Sequence, residues 1–212
     1  TPGTGSPTAA PTEQGKKGGV ARFISNNATY DTFDHSRSRF TPVATIIGRT
    51  MQRAIYWDSF KEGRLAGGFA EKWEQPDPQT VVLKLRKNNF FHNKPPVNGR
   101  QTKASDLQFH IERQKAGVRQ DGTEDPNFYR KGEYGIVDSV TSPDDETVQI
   151  KLKQPSPLFL NLLAQSYEGI GAPEAIKEFE KDYANFHEKM IIGTGPMILT
   201  EFSSEGRLKF QR

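Results

Sequence analysis

The four histidines of this chain are its side chains best suited to bind a metal ion or to move a proton near neutral pH. They lie at His35, His92, His110 and His187, and none of them has the short spacing of a zinc motif such as HExxH. The sequence contains no cysteine, which excludes disulfides, thiolate metal sites and cysteine nucleophiles. We therefore interpret the histidines as ordinary surface or half-buried residues, and we predict no metal site and no cofactor.

One glycine-rich segment, Gly193-Thr194-Gly195-Pro196, has a composition that suggests a phosphate-binding loop. It lacks the lysine of a P-loop, however, and Pro196 has no amide hydrogen to donate. We interpret the segment as a tight turn that leads into the next strand. The sequence also contains neither a GxSxG nucleophile elbow nor an SxxK pair. These absences favour a binding protein over an enzyme.

The composition is compatible with one or two compact domains, given a length of 212 residues. The 29 basic and 26 acidic residues are interspersed along the chain, which argues against a nucleic-acid-binding arm. No apolar run approaches the roughly 18 residues that a membrane span needs. No signal-peptide pattern is present either.

The elements that must position any site begin after a polar segment. Residues 1–19 predict a flexible tether, because they contain too few apolar side chains to offset the entropy of ordering. Residues 20–25 predict a short strand and residues 26–39 a loop rich in turn formers. Thr41 as N-cap and Pro42 in the first turn predict a helix over VATIIGRTMQRAIYW. Its expected inward side chains are Val43, Ile46, Ile47, Met51 and Ile55.

Two similar segments predict the central sheet. PDPQTVVLKLRK begins at Pro76 and PDDETVQIKLKQ begins at Pro143, and each combines an acidic turn with an alternating strand. We expect both strands in one mainly antiparallel sheet, with these side chains on its buried face: Val81, Leu83, Leu85, Val148, Ile150 and Leu152. A helix is expected at residues 102–116, with Thr102 as its N-cap and Asp106 in its first turn.

The remaining segments alternate between loops and short elements. Residues 117–135 are polar and contain several glycines, which predicts a long loop. The expected elements after it are helices at residues 157–164 and 173–187, followed by two strands at residues 197–202 and 207–212.

Seven motifs then occur in an order that resembles one family. They are GFAEKWE from Gly68, VLKLR from Val82, FH from Phe91, the stretch 95–113, DETV from Asp145, PSPLFL from Pro155 and GTGP from Gly193. This order is similar to that of the extracellular solute-binding proteins of ABC importers, specifically family 5, which includes oligopeptide-, dipeptide- and nickel-binding proteins. The similarity extends from about residue 20 to residue 212.

The resemblance implies an α/β fold of the type II periplasmic-binding-protein kind, with an N-terminal lobe and an extra subdomain. Residues 20–52 and 165–212 would belong to the ligand-facing lobe, and residues 53–164 would form the extra subdomain. Relatives continue beyond the position of residue 212 into a second lobe, which is absent here, so we expect this chain to hold only part of a ligand site.

The resemblance also suggests two ligand-binding loops. One contains Arg39, Phe40 and Thr41; the other contains Gln165, Ser166 and Tyr167. Arg39 would pair with a ligand carboxylate, and Phe40 or Tyr167 would supply an apolar wall. The alternative for each is an exposed loop residue without a ligand. A further set matches family motifs but is expected to serve folding: Trp73, Asn98, Gly99 and Asp106.

The function implied is that of a non-enzymatic component of an ABC importer. It would capture a peptide or similar small solute at the extracellular face or in the periplasm and deliver it to permease subunits. Contact with the membrane would occur only through a lipid anchor that precedes the tether in the precursor, and no nucleic acid would be bound. Two alternatives stay open, namely an extracellular interaction module and a fragment of a secreted enzyme.

Overall fold

The computed structural model describes Val20, Arg22 and residues 30–58, 63–181, 188–203 and 206–212. The predicted tether at residues 1–19 and most of the predicted strand at residues 20–25 lie outside the described residues. Within the described part, no helix has the length and apolar character that crossing a membrane requires.

The first helix, α1 (Thr41–Thr50), is shorter than the sequence predicts. Its N-cap is Phe40 rather than Thr41, and no side chain caps it. The helix stops at Thr50 because a distant loop satisfies its last carbonyls: Gly195 N donates to Thr50 O (3.0 Å) and Met197 N donates to Arg49 O (3.1 Å). The expected continuation is instead a strand, β1 (Ile55–Trp57), paired antiparallel with β2 (Leu65–Gly67). The five predicted inward side chains are all buried.

A four-stranded antiparallel sheet forms the centre of the fold. Its strands are β3 (Ala70–Asp77), β4 (Thr80–Leu85), β5 (Val137–Asp144) and β6 (Thr147–Leu152), in the order β3-β4-β6-β5. The two similar segments therefore pair directly with each other as β4 and β6. All six apolar side chains predicted for the inner face are buried, which confirms the predicted sheet.

The two acidic turns of this sheet have the same chemistry. Asp77 accepts hydrogen bonds from Gln79 N (2.8 Å) and from the Thr80 hydroxyl (2.7 Å). Asp144 accepts them from Glu146 N and from the Thr147 hydroxyl, both at 2.8 Å. Each carboxylate thus holds the first residue of the next strand and the residue before it, which is why the repeated pattern gives two hairpins.

Helix α2 (Ala104–Ala116) packs against β5 and β6. Its N-cap is Lys103, so the predicted N-cap at Thr102 is wrong; the Thr102 hydroxyl donates to Asn89 O (3.2 Å) instead. Asp106 does lie in the first turn, and its carboxylate accepts the Lys103 N–H (2.8 Å). The helix ends at Gly117, whose positive φ of 63° suits a residue without a Cβ.

The other predicted elements are present with shorter bounds. The predicted long loop contains only one helical turn, α3 (Lys131–Tyr134). The elements that follow are α4 (Phe159–Leu163), α5 (Pro173–Phe179), a 3₁₀ turn (Glu188–Met190), β7 (Ile198–Phe202) and β8 (Leu208–Gln211), and β7 pairs with β8. The predicted end of the α5 segment, at residues 182–187, lies outside the described residues.

Two apolar cores result. The larger one lies under the four-stranded sheet and includes α2 and α4. The smaller one joins α1, Phe33, Ile191 and Leu199 of β7, with the half-buried Tyr30 and Phe202 packed against it.

Candidate functional site

The predicted loop before α1 has an unexpected environment. As predicted, the structure shows neither helix nor strand at residues 30–39. However, every residue at 32–38 is at most 3% exposed, although six of these seven residues are polar or charged. Local hydrogen bonds shape the segment: the Ser38 hydroxyl donates to Asp31 Oδ1 (2.6 Å), and Arg37 N donates to Asp34 O (3.0 Å). A loop of this kind needs partners from elsewhere in the fold, because buried polar groups without partners are costly.

Ion pairs supply such partners for Asp34 and Arg37. Both terminal nitrogens of Arg113 on α2 donate to the carboxylate of Asp34, and the same guanidinium pairs with Glu180. Arg37 forms a buried ion pair with Asp125 in the 117–135 loop. Burial acts to raise the pKa of Asp34, but the charge and hydrogen bonds of Arg113 outweigh it and hold that pKa below its usual range. Asp34 is therefore ionised at neutral pH.

A second buried group lies beside the first. His35 stacks on His110 with ring centroids 5.8 Å apart, and His110 Nε2 lies 3.0 Å from Glu168 Oε2. The Tyr134 hydroxyl donates to the same carboxylate oxygen (2.6 Å). Burial lowers the pKa of His35 to about 3, despite the opposing effect of Asp34, so His35 is neutral at pH 7. Burial also acts to raise the pKa of Glu168, but the His110 hydrogen bond and the nearby charges reverse this and lower it.

The interpretation of the histidines as surface or half-buried residues is therefore wrong for three of them. His35, His92 and His110 are 1%, 7% and 4% exposed. His187 lies outside the described residues. Within the part of the chain that the structure describes, no group of three His, Cys, Asp or Glu residues is arranged to hold a metal ion.

Two of the three amides of the segment at residues 193–196 are engaged by the fold and so cannot cradle a phosphate. Gly195 N donates to the end of α1, as described above, and Gly193 N faces His92 Nδ1 at 3.5 Å. His92 Nε2 also lies 2.9 Å from Gly195 O. Burial lowers the pKa of His92, which favours the neutral ring that these contacts need.

Arg39 and Tyr167, one from each predicted ligand loop, each contact one residue of the dipeptide Tyr129-Arg130. The guanidinium carbon of Arg39 is 4.7 Å from the centre of the Tyr129 ring. The guanidinium carbon of Arg130 is 5.2 Å from the centre of the Tyr167 ring. The 117–135 loop therefore connects the two loops that the resemblance places near a ligand.

The other four predicted site residues have different surroundings. Phe40 is half-buried, and its carbonyl accepts the Val43 (3.0 Å) and Ala44 (3.2 Å) N–H groups at the start of α1. Thr41 is exposed in the first turn of that helix. Gln165 and Ser166 are exposed, and Gln165 lines a shallow groove with Leu158 and Phe159. No contact places these four against Arg39 within the described residues.

Four residues, Arg39, Tyr129, Arg130 and Tyr167, form a surface that we call the Arg39–Tyr167 rim. Its two arginines differ in whether a carboxylate neutralises their charge. Arg130 is neutralised by Glu168, with Nε and Oε1 2.6 Å apart. Arg39 is exposed, and no carboxylate within the described residues forms an ion pair with it. An exposed guanidinium over an aromatic ring presents a fork of donors that fits a carboxylate.

Sequence reasoning missed Tyr129, Arg130 and Glu168. The only local signal is that Tyr129 and Arg130 lie in a polar loop next to the aromatic Phe128. That pattern equally fits surface packing, so it did not single them out.

The chain is similar to known proteins in sequence and in structure. Residues 64–212 match the family described as bacterial extracellular solute-binding proteins, family 5 middle. The chain is 32% identical over 153 residues to the dipeptide-binding protein of Escherichia coli (strain K12). The aligned region covers 68% of this chain and 28% of that protein. It is 25% identical over 202 residues to the glutathione-binding protein GsiB of Escherichia coli O1:K1 / APEC. This alignment covers 91% of this chain and 34% of that protein.

A solved structure shows the same architecture. The periplasmic binding protein DppA from Helicobacter pylori, in complex with the peptide STSA, superposes with a TM-score of 0.69 at 21% identity, over 82% of this chain and 35% of that one. This likeness shows the fold, which is that of a type II periplasmic binding protein, and confirms the predicted α/β class. The chain spans about a third of the length of these proteins.

Proposed function

Because this chain belongs to the bacterial extracellular solute-binding proteins of family 5, we propose that it is part of the substrate-binding component of an ABC importer. In this role it captures a peptide or similar small solute and delivers it to membrane permease subunits. The protein works at the extracellular face or in the periplasm, held by a lipid anchor outside this chain. Relatives whose names refer to dipeptide and glutathione binding support a small peptide as the ligand.

The observation that carries this proposal is the unneutralised positive charge of Arg39 over the ring of Tyr129, whose neighbour Arg130 contacts the ring of Tyr167. A peptide has a carboxylate at one end and side chains that pack on aromatic faces, so both features of the rim have a counterpart in the ligand. Phe40, Thr41, Gln165 and Ser166 complete the proposed contact surface as the adjoining parts of the two loops.

The division into a lobe and a subdomain is part of the proposal. It is supported by the smaller core, which joins residues of the 30–51 segment to residues of the 191–210 segment and contains none of the described residues between them. The four-stranded sheet, by contrast, draws all its strands from residues 70–152. This is the arrangement expected if residues 53–164 form an insertion between two parts of one lobe.

Thermal unfolding of the natural full-length protein against a panel of peptides and other small solutes tests the function. A ligand present at 100 times its dissociation constant should stabilise the folded state by about 2.7 kcal/mol. A rise in melting temperature with one class of solute would support capture of that class. Cooperative unfolding with no shift for any solute would refute it and favour the interaction-module alternative.

A further inference from the structure

We infer that Tyr129 and Arg130 are positioning residues of the proposed ligand site and make it selective for solutes with a free carboxylate. They set the place of Arg39 relative to Tyr167 without using their own charge or hydroxyl group for the ligand. The inference rests on the proposed function, because it assumes that the Arg39–Tyr167 rim faces a solute.

Tyr129 is anchored through its hydroxyl group. Its hydroxyl donates to Asn127 Oδ1 (2.9 Å), and the Asn127 amide donates to Asp125 Oδ1 (2.8 Å). Asp125 in turn pairs with buried Arg37, which precedes Arg39 by two residues. The loop that carries Arg37 and Arg39 is therefore linked to Tyr129 twice, directly through Arg39 and indirectly through Arg37, Asp125 and Asn127. The ring is therefore fixed relative to the backbone that carries Arg39.

Arg130 fixes the second loop to the first. Its Nη2 donates to His35 O (3.2 Å), four residues before Arg39, while its guanidinium lies against the Tyr167 ring. Its charge is already neutralised by Glu168, and its side chain is only 7% exposed. Arg130 is thus unsuited to bind a ligand anion, but it holds Tyr167 at a set distance from the Arg39 backbone.

The consequence for binding is preorganisation of one cation. An exposed arginine side chain loses rotamer freedom when it binds an anion, which weakens the complex. Stacking on Tyr129 removes part of that freedom before the ligand arrives. We expect this contact to strengthen binding of a free carboxylate by about two- to fivefold and to leave binding of an uncharged amide unchanged.

The test compares two libraries of random tripeptides, one with free carboxyl termini and one with amidated termini. The natural full-length protein is incubated with an equal mixture, and retained peptides are quantified by mass spectrometry. We expect the free-acid forms to be enriched about tenfold, since a charge-assisted hydrogen bond is lost in the amide. Tyr129→Leu should reduce this enrichment two- to fivefold. Tyr129→Phe should keep only part of it, because the ring is present but the hydroxyl that holds it to Asn127 is lost.

Controls separate positioning from folding. Tyr129 is 40% exposed, so Tyr129→Leu should leave the melting temperature nearly unchanged. Phe90→Leu makes the same kind of change at another exposed aromatic residue, which is 51% exposed and lies outside the rim, and it should keep the full acid preference.

The outcomes distinguish the inference from the function that it builds on. Retention of both libraries to the same extent, or an unaltered preference in Tyr129→Leu, would overturn the positioning role while leaving solute capture intact. Retention of neither library would overturn tripeptide capture itself, and the inference with it.

Discussion

Replacing Arg113 with methionine should cost more stability than any single surface change in this protein. The guanidinium of Arg113 is the shared partner of Asp34 and Glu180, and the side chains of all three are at most 4% exposed. Methionine keeps an unbranched chain of similar length, so much of the packing against Phe128 is retained, whereas the charge is lost. The substitution therefore leaves two buried carboxylates without their main cation.

The expected loss in unfolding free energy is roughly 3–5 kcal/mol, the usual cost of leaving a buried charge uncompensated. A pH dependence should accompany it. In the wild type, Arg113 is the main reason that the pKa of Asp34 lies below its usual range; without Arg113, burial dominates and raises that pKa. Asp34 can then bind a proton as the pH falls, so the difference between variant and wild type should narrow from pH 7 to pH 4.5.

Urea unfolding at several pH values, followed by circular dichroism, measures both effects. Lys87→Met is the matched control, because its partner Glu146 and Lys87 itself are 59% and 73% exposed. It should cost less than about 1 kcal/mol at every pH. A deficit below 1 kcal/mol for Arg113→Met, or one that stays constant as the pH falls, would refute the argument that Asp34 depends on this cation.

Two further predictions concern other parts of the fold. Protonation of His35 in the unfolded state should lower the unfolding free energy by about 2 kcal/mol from pH 6.5 to pH 4.5, because its ordinary pKa is 6.5 whereas burial holds its folded pKa at about 3. A His35→Gln variant with an equally steep profile in urea unfolding would contradict this. Gly195→Ala should destabilise the protein by about 1–3 kcal/mol, since a Cβ there would lie 2.5 Å from the Thr50 carbonyl carbon. Gly48→Ala, in an open part of α1, should instead stabilise it by about 0.5–1 kcal/mol, and calorimetric melting of both variants would expose an error if the two changes had the same sign.

The sheet could be predicted from sequence because its signals are local. The alternation of Val81, Leu83 and Leu85 fixes which face of β4 is buried, and the acidic turns fix where the hairpins reverse. The end of α1 could not be predicted in this way. The residues after Thr50 continue a helical pattern, and the helix stops because Gly195, far away in sequence, satisfies its carbonyl groups.

The same distinction between local signals and contacts distant in sequence applies to the candidate site. The resemblance pointed to Arg39 and Tyr167, since it rests on the order of motifs. Nothing local pointed to Tyr129 and Arg130, because their roles come from contacts across the chain: Arg130 reaches His35, 95 residues away. Asp34 and Arg113 are likewise separated by 79 residues, so their ion pair has no local signature.

The buried ion pairs explain why a polar loop is kept inside this fold at all. Apolar residues of similar volume are often as stable as buried ion pairs, so stability alone does not account for Asp34, Arg37 and Arg113. What directional ion pairs and hydrogen bonds provide is one defined loop conformation. That loop ends at Arg39, the exposed cation of the rim. A rigid loop that carries one exposed charge preorganises that charge for a ligand, which reduces the entropy lost on binding.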